Sequence, residues 1–493
     1  MSTEKKSFGQ VITSYPKSFW IASAMELFER WAWYGLFAVL ALYLTGSTDE
    51  GALGFTHTEK GQIMGFVTAI LYLLPLFTGV VADKIGYKLS LIIAYIMLIT
   101  GYYFMGEVTT YTNVFLVFLY VAVGAAIFKP VASAIITKST DKSNSTLGFG
   151  IFYMMVNIGG FIGPAFSSTL RTQYGWKIVF IQAAIVIFIN LLIVLFFFKE
   201  PDRIKNKESL GEAISSSLKN IWEALKDSKL TVLLIIMVGF WTMFNQLFYT
   251  LPTFIEDWID TAALHDSIAS VSPWLASFMS GGGTSVNPEM MINIDAGSIV
   301  LFQLIVSYYV LKMRHVSAMI TGFIIASIGI GITFYTGNGF YTIVGIVIFA
   351  IGEMMTNPTF SSFIALISPK GKEALYMGTY FVPIFAGNFF TTFISGNLYD
   401  AWSDKLSLLQ TEMGKRAIEM PVISKEFTKN NYFSLASEKL NMTQNEMTQM
   451  IWDTYQPNKI WYVIVGIGVV TILALTVYDR LVVRPRENQV KAS

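Results

Sequence analysis

The sequence predicts an all-α integral membrane protein of twelve transmembrane helices, folded as two six-helix bundles around a central cavity. Two observations carry that prediction. The first is composition. Hydrophobic residues make up 54% of the 493-residue chain and charged residues only 14%, against about 25% charged in a soluble domain. Mean hydropathy is +0.54, and one large buried core does not explain so little charge. The second is spacing. Twelve segments each hold the roughly 20 mostly apolar residues that a bilayer-spanning helix needs, in two sets of six either side of a charged stretch.

The segments run 18–45, 59–82, 89–107, 113–137, 146–169 and 176–198, then 230–255, 294–312, 316–335, 340–364, 374–398 and 459–479. They predict an N-terminal bundle over 1–199, a linker over 200–229 and a C-terminal bundle over 230–493, with long outside loops at about 257–292 and 401–458. In the linker, LGEAISSSLKNIWEALKDSK repeats Leu210, Ile214, Leu218, Ile221, Trp222 and Leu225 at helical spacing. That pattern predicts an amphipathic helix lying in the membrane interface. The 257–292 loop contains Gly281-Gly282-Gly283 and reads as flexible. Within 401–458, SEKLNMTQNEMTQMIW has helical spacing and reads as part of an outside cap; Asn441-Met442-Thr443 fits a glycosylation acceptor.

Basic residues set the orientation. With the N-terminus inside, the cytoplasmic side holds Lys5, Lys6, Lys17, Lys84, Lys88, Lys138 and Lys142. The linker adds Lys199, Arg203, Lys205, Lys207, Lys219, Lys226 and Lys229; Lys312, Arg314, Lys370, Lys372, Arg480, Arg484, Arg486 and Lys491 follow. The short outside loops hold only Lys60, Arg171 and Lys177. Both termini are therefore expected to be cytoplasmic, in a multi-pass protein of the plasma (inner) membrane. The polar N-terminal stretch is too long for a cleaved signal peptide, so the first span is expected to direct insertion.

Several chemistries are excluded or unsupported. There is no cysteine, so disulfides, thiolate metal sites and cysteine nucleophiles are ruled out. His57, His265 and His315 are scattered and form no ligand motif. A net charge of +1 points to no polyanionic partner, nucleic acid included. No phosphate-binding loop, nucleophile elbow or paired nuclease carboxylates are present. A transporter, without cofactor or bound metal and working as a monomer, is the expectation; an enzyme is not.

After the second span, GVVADKIGYK places Gly79, Asp83, Gly86 and Lys88 in a G-x-x-x-D-x-x-G-x-K pattern. This resembles the loop motif of the major facilitator superfamily and implies that fold, with Asp83 capping or pairing on the cytoplasmic side. Such carriers bind near the bilayer midplane, and their halves rock about that site.

The first span carries MELFERWAWYGL. At 100° per residue, Glu26, Glu29, Arg30, Trp33 and Phe37 share a side. Each charge at the bilayer centre costs about 2.5–3.5 kcal/mol on insertion scales. Three persist only if they pair and face a wet cavity, and Glu26 and Arg30 have ion-pair spacing. A structural salt bridge is the plainer alternative to a proton-exchanging one. ELFERWAWYG resembles the E-x-x-E-R-F-x-Y-Y-G motif of proton-dependent oligopeptide transporters, matching Glu26, Glu29, Arg30, Tyr34 and Gly35. The resemblance extends to Tyr72, to Lys129 in AIFKPVAS and to Asn157 in FYMMVNIGG. It continues through Trp241 and Gln246 in FWTMFNQ, Glu353 in IGEMMTNP, Tyr380, and more loosely Asn293.

The resemblance implies proton-coupled symport of di- and tripeptides. In it, Glu26, Glu29 and Arg30 couple the proton, Arg30 and Lys129 clamp the peptide carboxylate, and Glu353 takes the amino group. Asn157 bonds the peptide backbone, and Tyr34, Tyr72, Trp241 and Tyr380 form adaptable walls; Glu353 as a structural partner and the rings as plain packing are the bland alternatives. Two positions depart from the pattern. Phe37 stands where an arginine is usual, and Asn245 where an acid is usual. Those departures motivate an alternative, a major facilitator carrier of another small amphoteric or anionic solute, with or without proton coupling.

Overall fold

The computed structural model describes residues 12–141, 144–200, 209–369 and 373–485. The topology residues Lys5, Lys6, Lys142, Arg203, Lys205, Lys207, Lys370, Lys372, Arg486 and Lys491 lie outside these. Helix α1 (Lys17–Thr45) starts after an extended Pro16 and stops where Gly46 turns extended, its N–H bonded back to Leu42. The second span is not one helix. It runs as α2 (His57–Gly61), a π-helical turn (Gln62–Phe66), α3 (Val67–Leu73) and α4 (Pro75–Ile85), with a 48° bend at Leu74. Pro75 has no N–H to continue the ladder, which places the bend.

The first bundle continues with α5 (Tyr87–Met105), α6 (Tyr111–Lys138), α7 (Ser145–Tyr174) and α8 (Trp176–Phe196). The linker helix α9 (Leu210–Leu225) begins with a Ser209/Glu212 capping box. Leu210, Leu218 and Trp222 are exposed on it. The second bundle follows with α10 (Ser228–Phe244), α11 (Gln246–Tyr249) and α12 (Leu251–Trp258), then α13 (Thr261–Val271), α14 (Pro273–Ser280), α15 (Pro288–Val310), α16 (His315–Tyr335) and α17 (Gly339–Ile367). The chain then runs through α18 (Glu373–Gly378), α19 (Phe381–Phe393), a second π turn (Ile394–Leu398) and α20 (Tyr399–Trp402). Cap helices α21 (Lys405–Lys415), α22 (Lys429–Leu440) and α23 (Gln444–Tyr455) precede the last span, α24 (Ile460–Tyr478). No strand occurs among the described residues.

Among the described residues, ten helices are long and apolar enough to cross a bilayer, eleven if the bent second span counts as one. The remaining expected span, α1, has the length at 29 residues but carries Glu26, Glu29 and Arg30 midway. Each bundle has its own core, one built over Tyr15–Phe198 with Tyr249, the other over Ala224–Val483.

Small residues bring helices close, as they do where lipid gives no hydrophobic drive. A Cβ on Gly159 or Gly163 of α7 would meet the Leu27 or Trp31 carbonyl of α1. Gly329 and Gly352 pack α16 on α17 in the same way. Pro130, inside α6, cannot bond the Ala126 carbonyl, and Thr78 donates to that oxygen at 2.6 Å instead.

Two loops differ from expectation. The 257–292 segment is helical, as α13 and α14, with Asp260 and Ser272 as side-chain caps. Gly281 (φ 62°) and Gly282 (φ 89°) end α14 in left-handed conformations, so the glycines punctuate rather than loosen. The following span begins at Pro288, not 294. In the 401–458 cap, the helical stretch is two helices split at left-handed Asn441 (φ 52°), which is also the glycosylation-type asparagine.

Candidate functional site

A cavity of about 220 Å³ lies between the bundles. Tyr34, Tyr72 and Asn157 line it from the first bundle, and Trp241, Asn293 and Glu353 from the second. Phe37 and Asn245 line it too. A larger cleft of about 970 Å³ opens among α12–α14 and the cap helices and holds none of the expected site residues.

Behind Tyr34 and Tyr72 sit the charges of the first bundle. The Arg30 Nε donates to Glu29 Oε2 at 2.6 Å and lies 3.4 Å from Glu26 Oε1. All three side chains are buried. The Arg30 guanidinium lies 5.6 Å from the Tyr34 ring centre and the Lys129 ammonium 4.5 Å from that of Tyr72. Lys129 is within electrostatic reach of Glu26, Glu29 and Arg30. Two acids and two cations thus sit together, and each cation stacks on a tyrosine that faces the cavity. The bend after Leu74 follows directly on the turn that carries Tyr72, and Pro130 follows Lys129.

On the other wall, Glu353 Oε2 is buried with no hydrogen-bond partner. Asn293 donates to the Phe161 carbonyl at 2.9 Å, across the bundles. Asn157 donates to the Tyr153 carbonyl at 2.8 Å. Trp241 Nε1 and Asn245 Nδ2 are buried without partners. Like Arg30 and Lys129, two expected residues of the second bundle do not line the cavity. Gln246 turns back on its own helix, donating to the Thr242 carbonyl at 2.8 Å and accepting from Thr250 at 2.5 Å. Tyr380 stands behind Asn357, to which its hydroxyl donates at 2.8 Å.

Asp295 is a cavity residue that the sequence reading does not single out. It is buried on the same cavity wall as Glu353. The signal is an acid inside a span. With the span drawn from 294, Asp295 falls at its end, in the polar interface; from Pro288 it lies two turns in.

The bundles are latched at one end, where α1 finishes and α2 begins. Asp400 accepts from the His57 and Thr58 backbone N–H groups at 3.0 and 2.7 Å. His57 Nε2 lies 3.3 Å from Asp404 Oδ1. These three side chains form a group of possible metal ligands, which corrects the reading of His57 as isolated. The Asp400 carboxylate is already engaged as a helix N-cap across the bundles. Lys60, expected in an outside loop, is buried and donates to the Tyr249 carbonyl at 3.0 Å. Arg171 grips Glu289 with two bonds, at 2.9 and 3.2 Å. Asn287 donates to Ser168 and Thr172 at 2.7 and 2.9 Å.

At the other end the loop motif braces the first bundle. Gly79 passes the Pro130 ring so closely that an added Cβ would lie 3.4 Å from it. Asp83 accepts from the Tyr87 hydroxyl at 2.9 Å, a local bond rather than one across the bundles. Gly86 has φ 102°, which a side chain would oppose. Lys88 Nζ donates to the Leu195 and Phe198 carbonyls at 3.1 and 3.0 Å, capping the end of α8.

Residues 20–289, more than half of the chain, match the Major Facilitator Superfamily. The chain belongs to that superfamily. Among relatives of this superfamily member is the dipeptide and tripeptide permease B of Aliivibrio fischeri (strain MJ11), 32% identical over 34% of each chain. Another is the dipeptide and tripeptide permease A of Serratia proteamaculans (strain 568), 28% identical over 36% of this chain and 35% of the relative. The chain therefore spans about a third of the length of these curated relatives. A crystal structure of a peptide transporter, POT, in complex with sulfate superimposes with a TM-score of 0.67 at 14% identity, covering 97% of this chain and 98% of that one. At that identity the likeness is one of fold, and the fold is that of a major facilitator carrier.

Proposed function

We propose that this protein is a proton-coupled symporter that imports di- and tripeptides across the plasma membrane by alternating access. One observation carries the reading: two cations, a buried Arg30 and a half-buried Lys129, stand behind one wall of the cavity, and a buried, unpartnered carboxyl oxygen of Glu353 stands on the other. A short peptide is a zwitterion with variable side chains. A site that holds its two charged ends and leaves space between accepts many of them. The names of the permease relatives support the same substrate class.

In the cycle, a proton and a peptide enter while the outer latch is open. Glu26 or Glu29 takes the proton, which weakens its hold on Arg30. Arg30 and Lys129 then clamp the peptide carboxylate, Asn157 and Asn293 bond its backbone, and Glu353 binds its amino group. Tyr34, Tyr72 and Trp241 form the walls, while Gln246 and Tyr380 brace them from behind. The latch around Asp400, Lys60 and Arg171 closes the outer end. Both termini lie in the cytoplasm, α9 lies along the inner membrane surface and the protein works as a monomer.

Uptake into proteoliposomes driven by an inward proton gradient is the test. Glu26→Gln should retain peptide exchange and lose concentrative uptake. Peptide uptake indifferent to the gradient in the unaltered protein would remove the coupling. A second reading, a carrier of another amphoteric or anionic solute, is favoured by the cavity's size, below the roughly 300–1,000 Å³ of drug-sized sites. Thermal-shift screening separates the two: stabilisation by organic anions and not by dipeptides selects the second.

A further inference from the structure

Asp295 has no part in the mechanism above. It is nevertheless buried on the cavity wall, 4% exposed, beside Glu353 at 8%. The two acids come from different helices, α15 and α17, and bring their carboxyl groups to one wall of the same cavity. Two ionised carboxylates buried on one wall repel each other and lose their hydration, so a proton on one of them relieves both costs. The charged and titratable neighbours supply no other compensation. Tyr34 of α1, Tyr153 of α7 and Tyr380 face the pair as neutral phenols, and Asn357 lies one turn beyond Glu353. No Lys, Arg or His stands within ion-pair distance of either acid among the described residues. Asp295 Oδ1 and Glu353 Oε2 are left as buried oxygens without partners.

We infer that Asp295 and Glu353 share one proton and present a single negative charge to the cavity, a receptor for one ammonium group held between their two free oxygens. The ammonium donates to both oxygens, no covalent bond changes, and the shared proton stays with the pair. Asp295 is then a binding residue equivalent to Glu353, and either carboxyl can serve the amine alone. The ligand part of this inference rests on the peptide reading; the shared proton does not.

Infrared difference spectra of the full chain in liposomes, taken across a pH jump, test the proton. A protonated-carboxyl stretch should be present and should shift or vanish in both Asp295→Asn and Glu353→Gln. Binding of a free dipeptide against its N-acetylated form tests the receptor. Either single variant should keep a preference for the free amine, reduced by less than about tenfold, and the double variant should lose it. Loss of the preference in Glu353→Gln alone, or a band that neither substitution moves, overturns the inference. An unaltered protein that binds neither peptide while the band behaves as expected removes the peptide reading and leaves the pair standing.

Discussion

Replacing Arg171 with alanine should open the latched end, where α1 finishes and α2 begins. The partner, Glu289, has a side chain that is 0% exposed, and Arg171 is 20% exposed. Removing one member of a buried pair costs about 3–5 kcal/mol, because the remaining charge is left desolvated. Partial solvation on the arginine side argues for the low end or below, about 2 kcal/mol. The cost falls almost wholly on the closed state, since Glu289 regains water once α7 and α15 part. At about 1.4 kcal/mol per decade, the equilibrium moves roughly 30-fold towards opening. The Asn287 and Asp400 bonds remain and limit the shift. The chain has no cysteine, so two can be introduced for spin labels at exposed Tyr174 and Val271, on opposite bundles. Pulsed electron resonance should show a longer distance component in Arg171→Ala. The double substitution Arg171→Leu/Glu289→Leu should restore the short distance, because no buried charge remains. A distance distribution in Arg171→Ala that overlays the unaltered protein would refute the reasoning.

Gly329→Val should lower the melting temperature in detergent, since its Cβ would press on the Phe349 backbone and overpacking costs about 1–3 kcal/mol; unchanged melting contradicts that packing. Lys129→Gln should weaken dipeptide binding about tenfold or more by calorimetry, the worth of one charged hydrogen bond, while melting stays near that of the unaltered protein. Outside the spans, the Asp49 carboxyl is held below its usual range, first by the Ser47 hydroxyl and also by Asn430. The unfolded chain therefore binds that proton more readily than the folded one, so this contribution is present at neutral pH and is lost as pH falls through the folded value. Hydrogen-exchange protection at 428–432, where Asn430 donates to Asp49 at 3.1 Å, should fall in acid relative to the intrinsic exchange rate at each pH, and Asp49→Asn should abolish that dependence.

The spans were legible because hydrophobic length is a one-dimensional signal, and ten or eleven emerge within a few residues of where apolar runs place them. The charges of α1 were legible because an acid or base in lipid needs a reason. What escaped depends on chain direction in space. ILYLLPLF reads as one apolar run, yet Pro75 bends it. Gly281 to Gly283 read as slack until φ shows that the first two terminate a helix. Gln246 fits a motif, but nothing in sequence says whether its amide faces the cavity or its own helix. Asp295 was hidden by a boundary six residues late, which moves an acid from mid-span to the interface.

Phe37 and Asn245 gain a physical reading from this layout. Where the resemblance implies a charge pair across the cavity, the Phe37 ring meets Tyr249 edge-on, with centres 5.4 Å apart. On the proposed reading, the charges that change during transport reside in two groups. The first-bundle group of Glu26, Glu29, Arg30 and Lys129 sums to zero, and the Asp295–Glu353 pair with its shared proton carries one negative charge. On that reading a bound zwitterion would neutralise the pair with its ammonium and bring a carboxylate to the first group, so the uncompensated charge would cross from the second bundle to the first. There it rests beside two acids already bonded to Arg30. On the same reading one proton on Glu26 or Glu29 would cancel it and release Arg30 to the peptide. A peptide lacking its ammonium leaves both groups negative in a low-dielectric cavity, which is why blocking the amine should abolish coupled uptake and not merely weaken binding.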